Sequence, residues 1–233
     1  MPLTGERAPT LLAVRDELPL ALVVSEIPGS ILEQISLSPD QEEQVWHAAG
    51  KALASLHKLA AGPAFGETNR YGSTSPGAPT DPITCLTDRL SELIERASHL
   101  GILTDTERRT AAAALQLVPA FQNEKPTPCH RDYCAANWLV DDSGQWSGVI
   151  DFEFSHYDVR AADFTRDAHW TYLDRPELPQ AMVEGYGQRL PDEQILFAHA
   201  EYAVGAVLWG HENDYRGFEQ EGRLALAHLA TRL

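Results

Sequence analysis

Between Cys129 and Glu153 the chain places Asp132, Asn137 and Asp151 around two short apolar runs, Ala136 to Val140 and Trp146 to Phe152, joined by Asp142-Ser143-Gly144. Two apolar runs separated by a Gly-containing turn predict a β-hairpin. Asp132 and Asn137 flank the loop entering its first strand and Asp151 ends the returning strand, so three oxygen-bearing side chains converge. The amide oxygen of Asn137 and the carboxylate of Asp151 are hard ligands suited to the Mg²⁺ that accompanies nucleotide phosphates. Asp132 supplies a second carboxylate that can orient a hydroxyl and accept its proton. Each group also has an ordinary explanation, because Asn and Asp commonly cap turns and strand ends. Around them, His130 is expected to support the loop backbone, Glu153 to position the metal turn or accept a packed hydrogen bond, and Cys129 and Cys134 to fill space.

The elements that must hold these groups can be read in outline. Thr10 to Val14 and Leu20 to Ser25 predict two strands joined through Arg-Asp-Glu-Leu-Pro, and Glu26-Ile27-Pro28-Gly29 turns the chain out of this ribbon. Ser38-Pro39-Asp40 opens a helix whose apolar stripe runs from Val45 through Leu53 to His57, and which should stop near Ala61-Gly62-Pro63. His57 on that stripe reads as a satisfied core histidine. Gly62 to Pro82 predicts a long surface loop, followed by helices over Pro82 to Ser98 and Asp105 to about Leu117. After the hairpin, helical patterns span Ala162 to Asp174, Leu178 to Arg189, Asp192 to Trp209 and Phe218 to Leu229.

Composition narrows the class of protein. The 233 residues are 43% hydrophobic and 22% charged, enough for a conventional core without staples. Against 18 basic residues stand 34 acidic ones, a formal net charge of -16. That field repels a phosphate backbone and argues against nucleic acid as a partner, whereas it favours a cationic small molecule. Three cysteines without a Cys-x-x-Cys pair suggest neither a disulfide framework nor a zinc site, and a reducing cytoplasmic location fits them. No run of eighteen uncharged apolar residues or leader-like start occurs, so neither a membrane span nor secretion is expected.

His130-x-Asp132-x-x-x-x-Asn137, followed by Ile150-Asp151-Phe152-Glu153, resembles the catalytic loop and metal-binding turn of the aminoglycoside phosphotransferase and choline kinase group of the protein-kinase-like superfamily. Leu22 to Gly29 is similar to that group's strand and hinge, Gly50 to His57 to its Leu-His helix, and Asp163 to the acid that fixes the loop from the next helix. Arg131 departs from the usual Gly, while Phe152-Glu153 in place of Phe-Gly returns the pattern to the small-molecule branch. The resemblance implies an α+β, protein-kinase-like fold. Residues 1–30 would be a two-stranded remnant of the nucleotide-binding lobe with its hinge, and residues 31–233 a mainly helical C-terminal lobe with a short catalytic hairpin. It also implies ATP and Mg²⁺ as cofactors, Asp132 as the base, Asn137 and Asp151 as metal ligands, and Ser25, Glu26 and Ile27 as the backbone that meets adenine.

An enzyme of this group also uses a Gly-rich loop, a strand Lys and a helix Glu. No Gly-x-Gly-x-x-Gly stands near the start, and the first lysine is Lys51, beyond the hinge. Two readings follow: an ATP-dependent phosphotransferase whose nucleotide lobe is largely missing from this chain, or a catalytically silent binding or interaction protein that keeps the acceptor pocket. The apolar ribbon then calls for a cover, by oligomerisation or a companion chain. Acids and aromatics in the later helices, among them Glu184, Glu201, Glu212, Glu219, Tyr202 and Trp209, are candidates for a cationic acceptor pocket and equally for solvated helix faces. Aminoglycoside, choline-like amine and other hydroxylated antibiotic or metabolite all remain open as acceptors.

Overall fold

The computed structural model describes residues 8–18, 21–69, 72–166 and 174–233. In chain order the elements are β1 (Leu11–Arg15), β2 (Ala21–Val24), β3 (Ser30–Ile31), α1 (Pro39–His57), α2 (Pro82–His99), α3 (Asp105–Ala114), β4 (Thr127–Cys129), β5 (Trp138–Val140), β6 (Trp146–Val149), β7 (His156–Asp158), α4 (Glu177–Tyr186), α5 (Asp192–Glu212) and α6 (Arg216–Leu229). Short 3-10 turns occupy Leu32–Gln34, Leu115–Phe121, Ala135–Asn137 and Arg160–Phe164. The chain divides into two compact units: residues 1–59, 130–155 and 166–189 form the first, and residues 60–129, 156–165 and 190–233 the second.

The first unit contains the expected β1–β2 ribbon, paired antiparallel with Leu11 opposite Val24 and Arg15 opposite Ala21, and a bulge between Leu11 and Ala13. Every residue of both strands is exposed. A second sheet has the order β3-β5-β6, so the hairpin read from the sequence gains a third strand: Ser30 pairs with Val140 and Ile31 with Leu139. Two residues are too few to carry an alternating pattern, which is why β3 left no trace in the hydrophobic periodicity.

Helix α1 begins where Ser38 and Pro39 dictate. The Ser38 hydroxyl accepts from the Gln41 backbone N–H, and the Gln41 side chain accepts from the Ser38 N–H, a reciprocal capping box ahead of Pro at the first turn. The helix stops at His57, short of the Gly-Pro expected to end it. Its partner α4 crosses at glycines: a Cβ on Gly50 would collide with the Met182 carbonyl, and one on Gly185 with the His47 carbonyl. Two backbones therefore touch with no side chain between them. Beside this crossing, His57 Nδ1 and the Tyr186 hydroxyl share a 2.8 Å hydrogen bond, which bears out the satisfied histidine.

The second unit is built on α5, which is buried nearly all round, against α2, α3, α6 and the 3-10 turn at Leu115–Phe121. That turn replaces the last part of the expected third helix, because Pro119 cannot donate to an α-helical ladder. β4 and β7 pair as a two-stranded sheet. The long loop is more ordered than expected: Ala64 and Phe65 are buried, and Gly66 bridges to Tyr157. At the centre lies Arg89, which donates to Asp158 at 2.9 and 3.1 Å and to Glu201 at 2.8 Å. Losing one member of such a buried set would strand a charge, so it ties α2, β7 and α5 together. Of the helix expected over Ala162 to Asp174, residues 160–164 are a 3-10 turn and residues 167–173 lie outside the described residues.

Candidate active site

The β5–β6 hairpin sets the site's frame. Trp138 pairs with Val149 and Leu139 with Gly148, and the Asp141–Gly144 turn is closed by the Asp141 carboxylate. That carboxylate accepts from the Ser143 hydroxyl and from the backbone N–H groups of Gln145 and Ser143, which hold it below the ordinary carboxylate range. At the other end the ladder continues one step beyond the strands, since the Ile150 N–H donates to the Asn137 carbonyl at 3.0 Å. Asn137 and Asp151 are thereby brought to the same end of the hairpin. The strands themselves are shorter than the sequence suggested: Ala135–Asn137 is a 3-10 turn, and the return strand stops at Val149, ahead of Asp151.

Asn137 is buried, and its amide nitrogen donates twice to Asp132, to the carbonyl and to Oδ2, both at 2.9 Å. The nitrogen is thus committed to the loop, and the amide oxygen is the atom left for a cation. Asp151 is exposed, and among the described residues no hydrogen bond or ion pair engages its carboxylate. Two hard oxygens of this kind fit a magnesium site.

The loop between β4 and the 3-10 turn is shaped by His130 and floored by α1. The Asp132 N–H donates to His130 Nδ1 at 3.3 Å, so Nε2 carries the proton and donates to the Ile150 carbonyl at 2.9 Å. His130 therefore links the Asp132 loop to the strand leading to Asp151, the supporting role expected of it. Tyr133 is buried and donates to the Ala49 carbonyl at 2.7 Å, and Trp138 meets Trp46 edge-on at 5.1 Å. Arg131 and Asp151 both adopt left-handed backbone, with φ of 71° and 66°. Non-glycine residues in that region cost about 1 kcal/mol or more each, and the two here bracket the candidate site.

Arg166 completes the cluster. Its Nη1 lies 3.0 Å from Asp132 Oδ1, and both side chains are about one-fifth exposed. Sequence reading missed this residue: it lies far along the chain from Asp132, inside the segment read as a helix over Ala162 to Asp174, and nothing in that pattern points back to the loop.

The residues expected to form a hinge join the same unit through the sheet. Gly29, with φ of 132°, presses against the Val140 carbonyl, and Ser147 Oγ donates to the Pro28 carbonyl at 2.7 Å. Ser25 is half-buried, Glu26 exposed and Ile27 buried. The Ser25 N–H donates to the Thr10 carbonyl at 2.9 Å, whereas among the described residues no such bond engages the N–H groups of Glu26 and Ile27. Several acids considered for an acceptor pocket have arginine partners within the second unit: Glu201 binds Arg89, Glu212 binds Arg96 at 2.8 Å in an exposed pair, and Glu219 binds Arg223 at 2.8 Å along α6. Asp163 is buried in its 3-10 turn, and Glu153 is exposed.

A His-x-Asp loop, an Asn and an Asp at the end of one hairpin, on a fold of this kind, define the protein-kinase-like class of phosphotransferases. A model of the phosphotransferase enzyme family matches residues 4–209. The chain belongs to that family. Among solved structures, the fold is similar to a thermostable mutant of aminoglycoside phosphotransferase APH(4)-Ia in its apo form, with a TM-score of 0.73 and 12% identity over 97% of this chain and 78% of that one. It is also similar to the GDP complex of aminoglycoside 2'-phosphotransferase-IIIa (TM-score 0.68, 16% identity, 99% of this chain and 77% of that one) and to macrolide 2'-phosphotransferase type I (0.64, 16%, 94% and 72%). The search of curated proteins returned no match. Among the described residues no helix is long and apolar enough to cross a membrane.

Proposed function

We propose that this chain transfers the γ-phosphoryl group of ATP to a hydroxyl of a small cationic acceptor. The observation that carries the reading is the pinning of Asn137 to Asp132, which leaves the Asn137 oxygen and the unengaged Asp151 carboxylate together at one end of the hairpin. Asp132 orients the acceptor hydroxyl and takes its proton as the oxygen attacks phosphorus; the bond from phosphorus to the bridging oxygen breaks, and ADP leaves. Asn137 and Asp151 would hold Mg²⁺, whose charge offsets that of the phosphates. The hinge backbone at Ser25, Glu26 and Ile27 is assigned to adenine, chiefly through the latter two. Residues 1–30 act as a nucleotide-side piece, and residues 31–233 carry catalysis and the acceptor. The net charge of -16 supports a protonated amine on the acceptor. So do the structural neighbours, two of which are aminoglycoside phosphotransferases.

A second reading, a silent binding protein, draws on one observation: β1 and β2 are largely apolar and exposed on both faces. A second copy or companion chain would then cover the ribbon. The two readings separate in one assay. Purified chain with ATP, Mg²⁺ and a panel of aminoglycosides and amino alcohols should yield a phosphorylated product by mass spectrometry, with the rate falling about 10²- to 10⁴-fold in Asp132→Ala. Transfer that survives in Asp132→Ala would sink the mechanism, and none with any acceptor would favour the silent form.

A further inference from the structure

We infer that Arg166 is a positioning residue for Asp132, acting on the transfer reaction through that carboxylate; the inference rests on the phosphotransferase reading above. A carboxylate turns easily about its last side-chain torsion, because the sp³–sp² rotor is broad and roughly two-fold. Here the two oxygens have different anchors: Oδ2 accepts from the Asn137 amide at 2.9 Å and Oδ1 faces the Arg166 guanidinium at 3.0 Å. One anchor leaves the rotor a swing about the bonded oxygen, whereas two define the carboxylate plane. Oδ1 also accepts from the Cys134 thiol at 4.0 Å, whereas Oδ2 keeps a further lone pair, so both anchors can remain in place while the carboxylate accepts a hydroxyl proton at Oδ2. Partial exposure of the pair leaves that lone pair within reach of a substrate.

Charge gives Arg166 a second effect in the same direction. Asp132 and Asp151 put two negative groups where an anionic phosphoryl group must arrive, in a chain already carrying a net charge of -16. A permanently protonated guanidinium against Asp132 cancels one of them without consuming the base. The planar fork of Arg suits this better than the mobile ammonium of Lys.

The test is steady-state kinetics on the full chain and on R166K, R166Q, D132N and the double variant, with Mg²⁺, ATP and an acceptor found in the panel, after melting curves confirm folding. The expected result is a kcat about 10- to 100-fold lower in R166Q with KM for ATP and acceptor little changed, partial recovery in R166K, and no further loss when R166Q is added to D132N. An R166Q enzyme with native kcat, a defect confined to KM, or an equal further loss in the D132N background overturns the inference. If the native chain phosphorylates no acceptor, the phosphotransferase reading fails, and the Arg166 inference is judged by crystal structures of the native and R166Q proteins. A carboxylate of Asp132 that reorients or loses order in R166Q supports the positioning role, and one that keeps its native orientation on Asn137 alone overturns it.

Discussion

Asn137 holds Asp132 through its side-chain nitrogen, which leaves its amide oxygen at the end of the hairpin where the return strand leads to Asp151. Replacing it should therefore damage two things together. Asn137→Ala is expected to raise the Mg²⁺ concentration for half-maximal rate about tenfold or more, and to lower kcat at saturating Mg²⁺ because Asp132 loses an anchor. A Mg²⁺ titration of the transfer rate checks both, and an unchanged Mg²⁺ requirement would remove Asn137 from the metal site. The three oxygen-bearing residues were readable in the sequence because a single hairpin carries them, so their spacing is fixed by local geometry. Arg166 was not readable, since its contact with Asp132 depends on how a segment remote in sequence, read only as one more helix, returns to the loop. The left-handed backbone at Arg131 was equally hidden, as Arg does not announce a positive φ, while Asp151 is of a type that tolerates one without requiring it.

Helix α1 is the floor of the Asp132 loop, through Trp46 and Ala49, and its crossing with α4 is made by glycine. Gly50→Ala is expected to destabilise the protein by about 1–3 kcal/mol, since overpacking forces the helices apart, and to slow transfer through the displaced loop. Thermal melting reads the first effect, and an unaltered melting temperature would show that the crossing gives way freely. A second element, α3, is closed by a capping box between Thr104 and Glu107, with Arg223 of α6 on the same carboxylate at 2.9 Å. Partial burial pushes the Glu107 carboxyl up, but the Thr104 N–H and Arg223 outweigh it and hold it below the ordinary range. A folded-state pKa below the unfolded value means that this stabilisation is complete above the ordinary Glu range and is lost as pH falls through it towards the folded value. Glu107→Gln should thus cost about 1 kcal/mol near neutrality, and the gap from native should close as the pH drops below about 4. Melts across pH check it; a gap independent of pH would contradict it. The long helices were readable because caps and apolar stripes mark them. β3, β4 and β7 were not, since strands of two or three residues are made by their partners rather than by their own pattern.

Across the chain as a whole, charge and family point the same way. The acidic excess excludes the simplest nucleic-acid roles and suits a cationic acceptor, while the family match spans residues 4–209. The acids of the later helices illustrate why sequence alone could not place the acceptor: Glu201, Glu212 and Glu219 turn out to be held by arginines within their own unit. The order of motifs was readable, whereas the exposure of the β1–β2 ribbon on both faces was not: apolar residues that do not alternate with polar ones are the pattern of strands covered on both sides. The account rests on Asp132 acting as the base in phosphoryl transfer from ATP. Its most direct test is a ³¹P NMR time course of native chain and Asp132→Asn with ATP, Mg²⁺ and an aminoglycoside or amino-alcohol acceptor. The account predicts a growing phosphate-ester resonance matched by ADP in the native sample and its near absence in the variant; an ester that grows at the same rate in both, or in neither, would contradict it.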